Sequence, residues 1–124
     1  MGGPGAFDKG FSSIPTFGTL GAAATAGKMM KLTIEQMQNA FGIGIAQCSG
    51  QQRQQGSMTH LLEAGIACRN GVTAALLAKE GVTADPDLIE GERGFYDLFC
   101  SGGRGYNIET VSNGLGKPFC IPTL

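Results

Sequence analysis

His60 is the only histidine in the 124 residues, and Glu63 follows it three positions later, within GSMTHLLEAGIACRNGVTAALLAKEG at residues 56–81. On a helix, residues three apart share a face, so this imidazole and this carboxylate can share a hydrogen bond or a proton. Imidazole is also the side chain whose ordinary pKa suits general acid–base work near neutral pH. The competing reading is a partly exposed histidine beside an acidic neighbour, on a helix whose task is packing. Spacing alone leaves both open.

Other candidate chemistry is thinner. Cys48, Cys68, Cys100 and Cys120 lie 20 or more residues apart, with no CxxC pair and one histidine to complete a site, so no metal is expected. Buried or free thiols are expected in place of disulfides, because MGGPGAFDKG lacks the basic and apolar regions of an export signal. GGRG at residues 102–105 occurs once without a basic surround, and reads as a tight loop. GIGIAQ follows a helical pattern, which removes the strand that a dinucleotide fingerprint requires. A lone histidine among many serines assigns no Ser/His/Asp triad.

Three helices must position these residues. FSSIPTFGTLGAAATAGKMM predicts a turn at Pro15 and a small-residue helix over about 16–30, with Gly18, Gly21, Ala22 and Thr25 as a flat stripe for another helix. Thr33-Ile34-Glu35-Gln36 is a capping box that starts a second helix, with Ile34, Met37, Phe41, Ile45 and Cys48 on its apolar face and a stop at Ser49-Gly50. The glutamine-rich QQRQQ at residues 51–55 predicts a solvated loop. The third helix runs over about 57–80. Met58, Leu61, Leu62, Ile66, Val72, Ala75, Leu76 and Ala78 form its expected inner side, and Arg69, Asn70 and Lys79 its outer side. Short helices are expected from Thr83-Ala-Asp-Pro through Ile89, in GFYDLFC, and over 107–113.

No segment alternates with period two, so the class is all-α: residues 1–10 a flexible lead-in and 11–124 one helical domain. Nine basic and ten acidic residues create no field of one sign, which argues against nucleic acid or an anionic membrane as partner. No run approaches the roughly 18 apolar residues of a membrane span, and a cytoplasmic protein is expected. Glycine supplies 21 of the 124 residues, more than twice the usual ~7 per cent, and it is spread through the apolar segments. That distribution predicts close helix packing.

Several segments, taken in order, resemble the MmgE/PrpD family, which includes 2-methylcitrate dehydratase, cis-aconitate decarboxylase and iminodisuccinate epimerase. DKGFSSIPTFGTLGAAATAGKMMKL is similar to the family's Asp-basic-Gly-Phe-His stretch with its Gly/Ala-rich continuation. TIEQMQNAFGIGIAQCSG is similar to the Asn-Ala-Leu-Gly-Ile segment that follows it. GSMTHLLEAGIACRNGVTAALLAKEG resembles the Gly-Ser-Met-x-Lys-Arg helix, and VSNGLGKPFCI the Gly-Leu-Gly segment near the end. The resemblance spans residues 8–121.

The family's enzymes are several times longer, with a helical domain and an α+β lid. This stretch corresponds to the later part of the helical domain. The resemblance implies cofactor-independent proton abstraction beside a carboxylate of a small di- or tricarboxylic acid, followed by loss of water or carbon dioxide, or by epimerisation. It also implies where the site falls. Ser12 stands at the family's cleft histidine and His60 at a lysine that holds a substrate carboxylate, so these two are the candidate catalytic positions, both substituted. Thr59 and Glu63 are the candidate substrate-binding positions. Leu61 replaces an arginine, and Glu63 brings a negative charge where many relatives have His or Gln.

Two functions follow. One is part of a lyase or isomerase completed by a companion chain or by homo-oligomerisation, with a polycarboxylic acid as substrate. The other is a non-catalytic helical interaction protein that keeps only the packing surface.

Overall fold

The computed structural model describes residues 9–99, and the chain is all-α across them. Helix α1 spans Ser13–Met29, α2 spans Ile34–Ala46, a 3₁₀ turn covers Gln52–Gln54, α3 spans Met58–Lys79, and a short α4 covers Phe95–Phe99. Among the described residues there is no strand, and Phe11 forms an isolated antiparallel bridge with Gln51. Most of the expected lead-in, the helix at 107–113, the GGRG loop, Cys100 and Cys120 lie outside the described residues.

Local signals set the helix ends. Thr33 Oγ1 accepts the Gln36 N–H at 3.2 Å and Gln36 Oε1 accepts the Thr33 N–H at 3.0 Å, the reciprocal capping box that starts α2. Ser57 caps α3 by accepting the His60 N–H at 3.4 Å. Pro15 makes no turn ahead of α1. It occupies the helix's first turn, where its missing N–H would have had no partner, so α1 begins three residues earlier than predicted. The end of α3 places Gly81 at φ +93°, with Gly81 N–H donating to Ala78 O and Val82 N–H to Leu77 O.

The three long helices run up, down and up. Met37 of α2 lies against Gly27 of α1 and Gly44 against Thr19, so α1 and α2 are antiparallel. Ser12 meets Glu63, Gly18 meets Ala67 and Ala22 meets Gly71, so α1 and α3 ascend together. The buried face of α1 is Thr16, Thr19, Ala23, Ala26 and Gly27, about one residue out of register from the predicted stripe: Gly18, Gly21 and Thr25 are exposed. On α2, Ala40, Gly42 and Gly44 are buried, while Ile34 is 83% exposed.

Helix α3 is turned from its predicted orientation for its large residues. Ala75 and Ala78 are inside and Arg69 and Lys79 outside as expected, but the bulky apolar residues and Asn70 exchange sides. Its buried side is Glu63, Ala67, Asn70, Gly71, Ala74, Ala75 and Ala78, whereas Met58 is 83% exposed, Leu61 79%, and Leu62, Ile66, Val72 and Leu76 are also exposed. The reason is distance. A crossing close enough to bring Gly71 against the backbone of α1 leaves no room for leucine, and backbone-to-backbone dispersion replaces side-chain bulk. Asn70 is therefore inside, its Nδ2 donating to Gln47 O at 3.3 Å. By length and mean composition α3 could cross a membrane, because its leucines, Ile66, Val72 and alanines outweigh His60, Glu63, Arg69 and Asn70, although those polar residues interrupt any continuous apolar run. Its small-residue face is occupied by α1 and α2.

Residues 83–85 are irregular and 86–90 form consecutive turns in place of the predicted helix. Leu88 and Ile89 present their carbonyls to the N–H groups of Phe95 and Tyr96, seven residues on, which removes the acceptors a helix would use. The Asp85 side chain takes the Asp87 N–H at 2.9 Å, and Asn39 Oδ1 anchors the Ala84 N–H at 3.0 Å. Phe95 and Phe99 stack at 4.7 Å, and Phe99 lies 4.9 Å from Phe11, which closes the described chain onto its own beginning.

Candidate functional site

Ser12 is the N-cap residue of α1, yet its side chain caps nothing in that helix. A hydroxyl at this position ordinarily accepts an N–H of the first turn. Here Ser12 Oγ donates to Glu63 Oε2 of α3 at 3.0 Å. The backbone around it is fixed from three sides. Ser12 N–H donates to Gly50 O at 3.1 Å, Gln52 N–H donates to Gly10 O at 2.9 Å, and Thr16 Oγ1 donates to Ser12 O at 2.7 Å. Gly50 sits at φ +140°, and a β-carbon there would fall on the Pro15 ring, so a side chain would not fit.

The same Oε2 of Glu63 lies 3.2 Å from His60 Nδ1. Glu63 is 5% exposed and His60 27%. The i,i+3 spacing on α3 therefore makes the contact that the sequence suggests, and α1 adds a third group to it. Ser12, His60 and Glu63, up to 51 residues apart in the chain, share one carboxylate oxygen. Glu63 spends that oxygen on two protein groups, so its carboxylate is engaged within the protein.

A groove of about 180 Å³ opens beside Glu63, lined also by Pro15, Ser49, Gly50, Gln51, Gln54, Thr59 and Ile66. Thr59 thus belongs to the groove, one turn from Glu63, and is separated from His60 by one step around the helix. No lysine or arginine lines it. Its polar lining is hydroxyl, amide and carboxyl, so it offers neutral donors but no cationic clamp for a carboxylate.

Sequence reasoning missed the contribution of QQRQQ. Gln51 pairs with Phe11, and Gln52 Nε2 donates to Phe11 O at 3.3 Å, so this segment clamps the start of α1 to the groove and is more than a solvated loop. The visible signal was Gly10-Phe11 preceding an N-cap serine, which needs a partner to hold it. A larger apolar groove of about 410 Å³, lined by Phe17, Leu20, Phe41, Ile89, Phe95 and Tyr96 among others, holds no carboxyl, amine or imidazole. Among the described residues no group of three or more His, Cys, Asp or Glu is placed to hold a metal ion.

The two described cysteines are both free thiols. Burial pushes the Cys48 thiol up to about 11, partly offset by hydrogen bonding to Thr19, and its Sγ–H also donates to Thr16 O at 3.0 Å. At pH 8 only about one Cys48 in a thousand is thiolate, the reactive form. Peptide mapping after iodoacetamide at that pH is expected to show exposed Cys68 alkylated well before Cys48. Equal rates at the two positions would show that Cys48 is not enclosed as described.

The geometry can be set beside known proteins. A family model of the MmgE/PrpD N-terminal domain matches residues 6–107. A cis-aconitate decarboxylase-like protein of Aspergillus oryzae is 33% identical over 122 residues, covering 94% of this chain and 25% of that protein. Cis-aconitate decarboxylase of Aspergillus terreus is 36% identical over 106 residues, 82% of this chain and 22% of that protein. The Homo sapiens cis-aconitate decarboxylase is 30% identical over 87 residues, 70% of this chain and 18% of that protein. The chain spans about a quarter or less of the length of these relatives. On the match across most of its residues, the chain belongs to the MmgE/PrpD family through that family's N-terminal domain.

Proposed function

We propose that this chain forms one wall of the active site of a cofactor-independent lyase or isomerase acting on small di- or tricarboxylic acids, as a dehydratase, decarboxylase or epimerase. The observation that supports this is the convergence of Ser12, His60 and Glu63, distant in sequence, on one oxygen beside a groove. In this reading His60 Nε2 exchanges a proton with a carbon next to a carboxylate. For elimination or epimerisation it accepts that proton, and the electron pair spreads onto the carboxylate before hydroxide leaves or a proton returns. For decarboxylation the C–C bond breaks, carbon dioxide leaves, and the protonated imidazole delivers its proton to the carbon that keeps the electron pair. The groove lacks cationic groups, so the carboxylate anchors come from the family architecture beyond this wall, in the same polypeptide or in a companion chain.

The test is turnover of cis-aconitate, the substrate named by the relatives, followed by proton NMR of the products. Conversion is expected when the rest of the architecture is supplied, and none from these 124 residues alone. No conversion of cis-aconitate, 2-methylcitrate or a related acid by the completed assembly would remove this reading.

A second reading, a helical interaction protein without catalysis, is favoured by the outward apolar face of α3 at Met58, Leu61, Leu62, Ile66, Val72 and Leu76. Both readings require that face to be covered by further protein. The 124-residue chain is therefore expected to sediment above its monomer mass of 12.8 kDa and to bind a hydrophobic dye. A dye-silent monomer in analytical ultracentrifugation would contradict this.

A further inference from the structure

We infer that Glu63 is a positioning residue that holds His60 as the Nδ1–H tautomer, so that Nε2 is the proton acceptor. The two ring nitrogens are chemically distinct, and the hydrogen bond made by one decides the role of the other. Nδ1 faces Glu63 Oε2 at 3.2 Å, and an ionised carboxylate can only accept, so Nδ1 carries the proton. Nε2 bonds to no described group, and no buried side-chain nitrogen or oxygen is left unpartnered, so Nε2 is open to solvent.

Ser12 completes the arrangement from another helix. By donating to the same Oε2 at 3.0 Å in place of capping α1, it fixes where that oxygen sits. A carboxylate free to rotate would contact Nδ1 only part of the time, whereas one held by a buried hydroxyl is aimed before any substrate arrives. The carboxylate-to-imidazole bond is the device that sets tautomer and ring orientation in histidine bases generally. Here the order is serine, carboxylate, imidazole. Ser12 is a donor to the carboxylate, so it is not the nucleophile of an acyl-transfer triad.

The tautomer assignment stands on this geometry alone, and its catalytic meaning rests on the reading of His60 under Proposed function. One histidine in the chain makes the test direct, because every imidazole signal belongs to His60. Long-range ¹H–¹⁵N NMR of the ¹⁵N-labelled chain at about pH 8.5, some two units above the ordinary imidazole value, reads both nitrogens. Wild type is expected to show Nδ1 at a protonated-type shift and Nε2 at an unprotonated-type shift. Neutral imidazole in water prefers the opposite, so Glu63→Met is expected to exchange the two.

A wild-type spectrum dominated by Nε2–H would overturn the inference without any variant, whatever happens to the fold of Glu63→Met. A folded Glu63→Met that keeps the Nδ1–H tautomer would also overturn it, by showing that Glu63 is only a structural tie. Nδ1–H in wild type together with no turnover in the completed assembly would uphold the positioning by Glu63 and remove the catalytic reading.

Discussion

Gly71→Ala is expected to lower the unfolding free energy by a net ~1–2 kcal/mol, from an overlap cost towards the upper end of the ~1–3 kcal/mol usual for forcing a group into a packed site. A β-carbon at residue 71 would lie 2.5 Å from Thr19 O, 2.6 Å from Ala23 N and 2.5 Å from the Ala22 β-carbon. Two of those atoms are backbone of α1, so no rotamer change relieves the overlap, and the helices must separate. The helix propensity gained on replacing glycine, about 1 kcal/mol, opposes this and does not cancel it. Gly65→Ala is the matched control. It lies on the same helix with nothing within 4 Å of the added carbon, so it is expected to raise stability by about 0.5–1 kcal/mol. Urea denaturation with equal m values in both variants checks the pair. A Gly71→Ala midpoint at or above wild type would show that α1 and α3 do not cross at backbone contact.

That crossing also accounts for what could be read in the sequence and what could not. The capping box at Thr33 is local, depends on residues within one turn, and is found where the sequence places it; the third helix also begins at the expected Ser57, whose role as its cap is seen in the structure. The faces of the helices are not local. Periodicity reasoning sends large apolar residues inward, which holds when helices pack at side-chain distance. In α3 the inward positions are mostly alanine and glycine, with Glu63 and Asn70 held among them by hydrogen bonds, so Leu61, Leu62 and Leu76 point outward. The alternative pattern was present in the sequence. Glu63, Ala67, Gly71, Ala75 and Lys79 recur at intervals of four, and all but the last are buried. Nothing in composition decides between a bulky face and a small one, because the choice depends on the neighbour.

The candidate site divides the same way. The His60–Glu63 contact follows from helix spacing and was legible. The Ser12–Glu63 contact joins residues 51 apart and became visible only once α1 and α3 were seen to ascend together. Resemblance to the family singled out Ser12 and His60 for another reason, as departures from histidine and lysine. That both departures, with Glu63, hydrogen-bond as one unit is a property of this chain's own residues. Ser12 and His60 meet through Glu63, so a change at either one reaches the other through a shared carboxylate oxygen.

Loss of the His60 imidazole is expected to have the largest effect on turnover. If the completed assembly converts cis-aconitate or a related acid, His60→Ala should lower kcat by about 10²–10⁴-fold, the range for removing one general acid or base. KM should change far less, because in this reading the imidazole acts on the reacting carbon and the carboxylate anchors lie elsewhere. Thr59→Ala is an unsuitable control, since Thr59 lines the groove beside Glu63. Thr73→Ala serves better: its side chain is exposed and its Oγ1 donates to Arg69 O within its own helix at 2.8 Å. Thr73→Ala should stay within about twofold of wild type, as surface changes away from any site do. His60→Gln adds a further distinction. An amide can keep a polar contact with Glu63 but cannot accept and return a proton at neutral pH, so it should be as slow as alanine while more stable. Full activity in His60→Gln would mean that His60 holds the wall together and moves no proton. An equal fall in kcat for His60→Ala and Thr73→Ala would mean that α3 matters to the enzyme only as a scaffold.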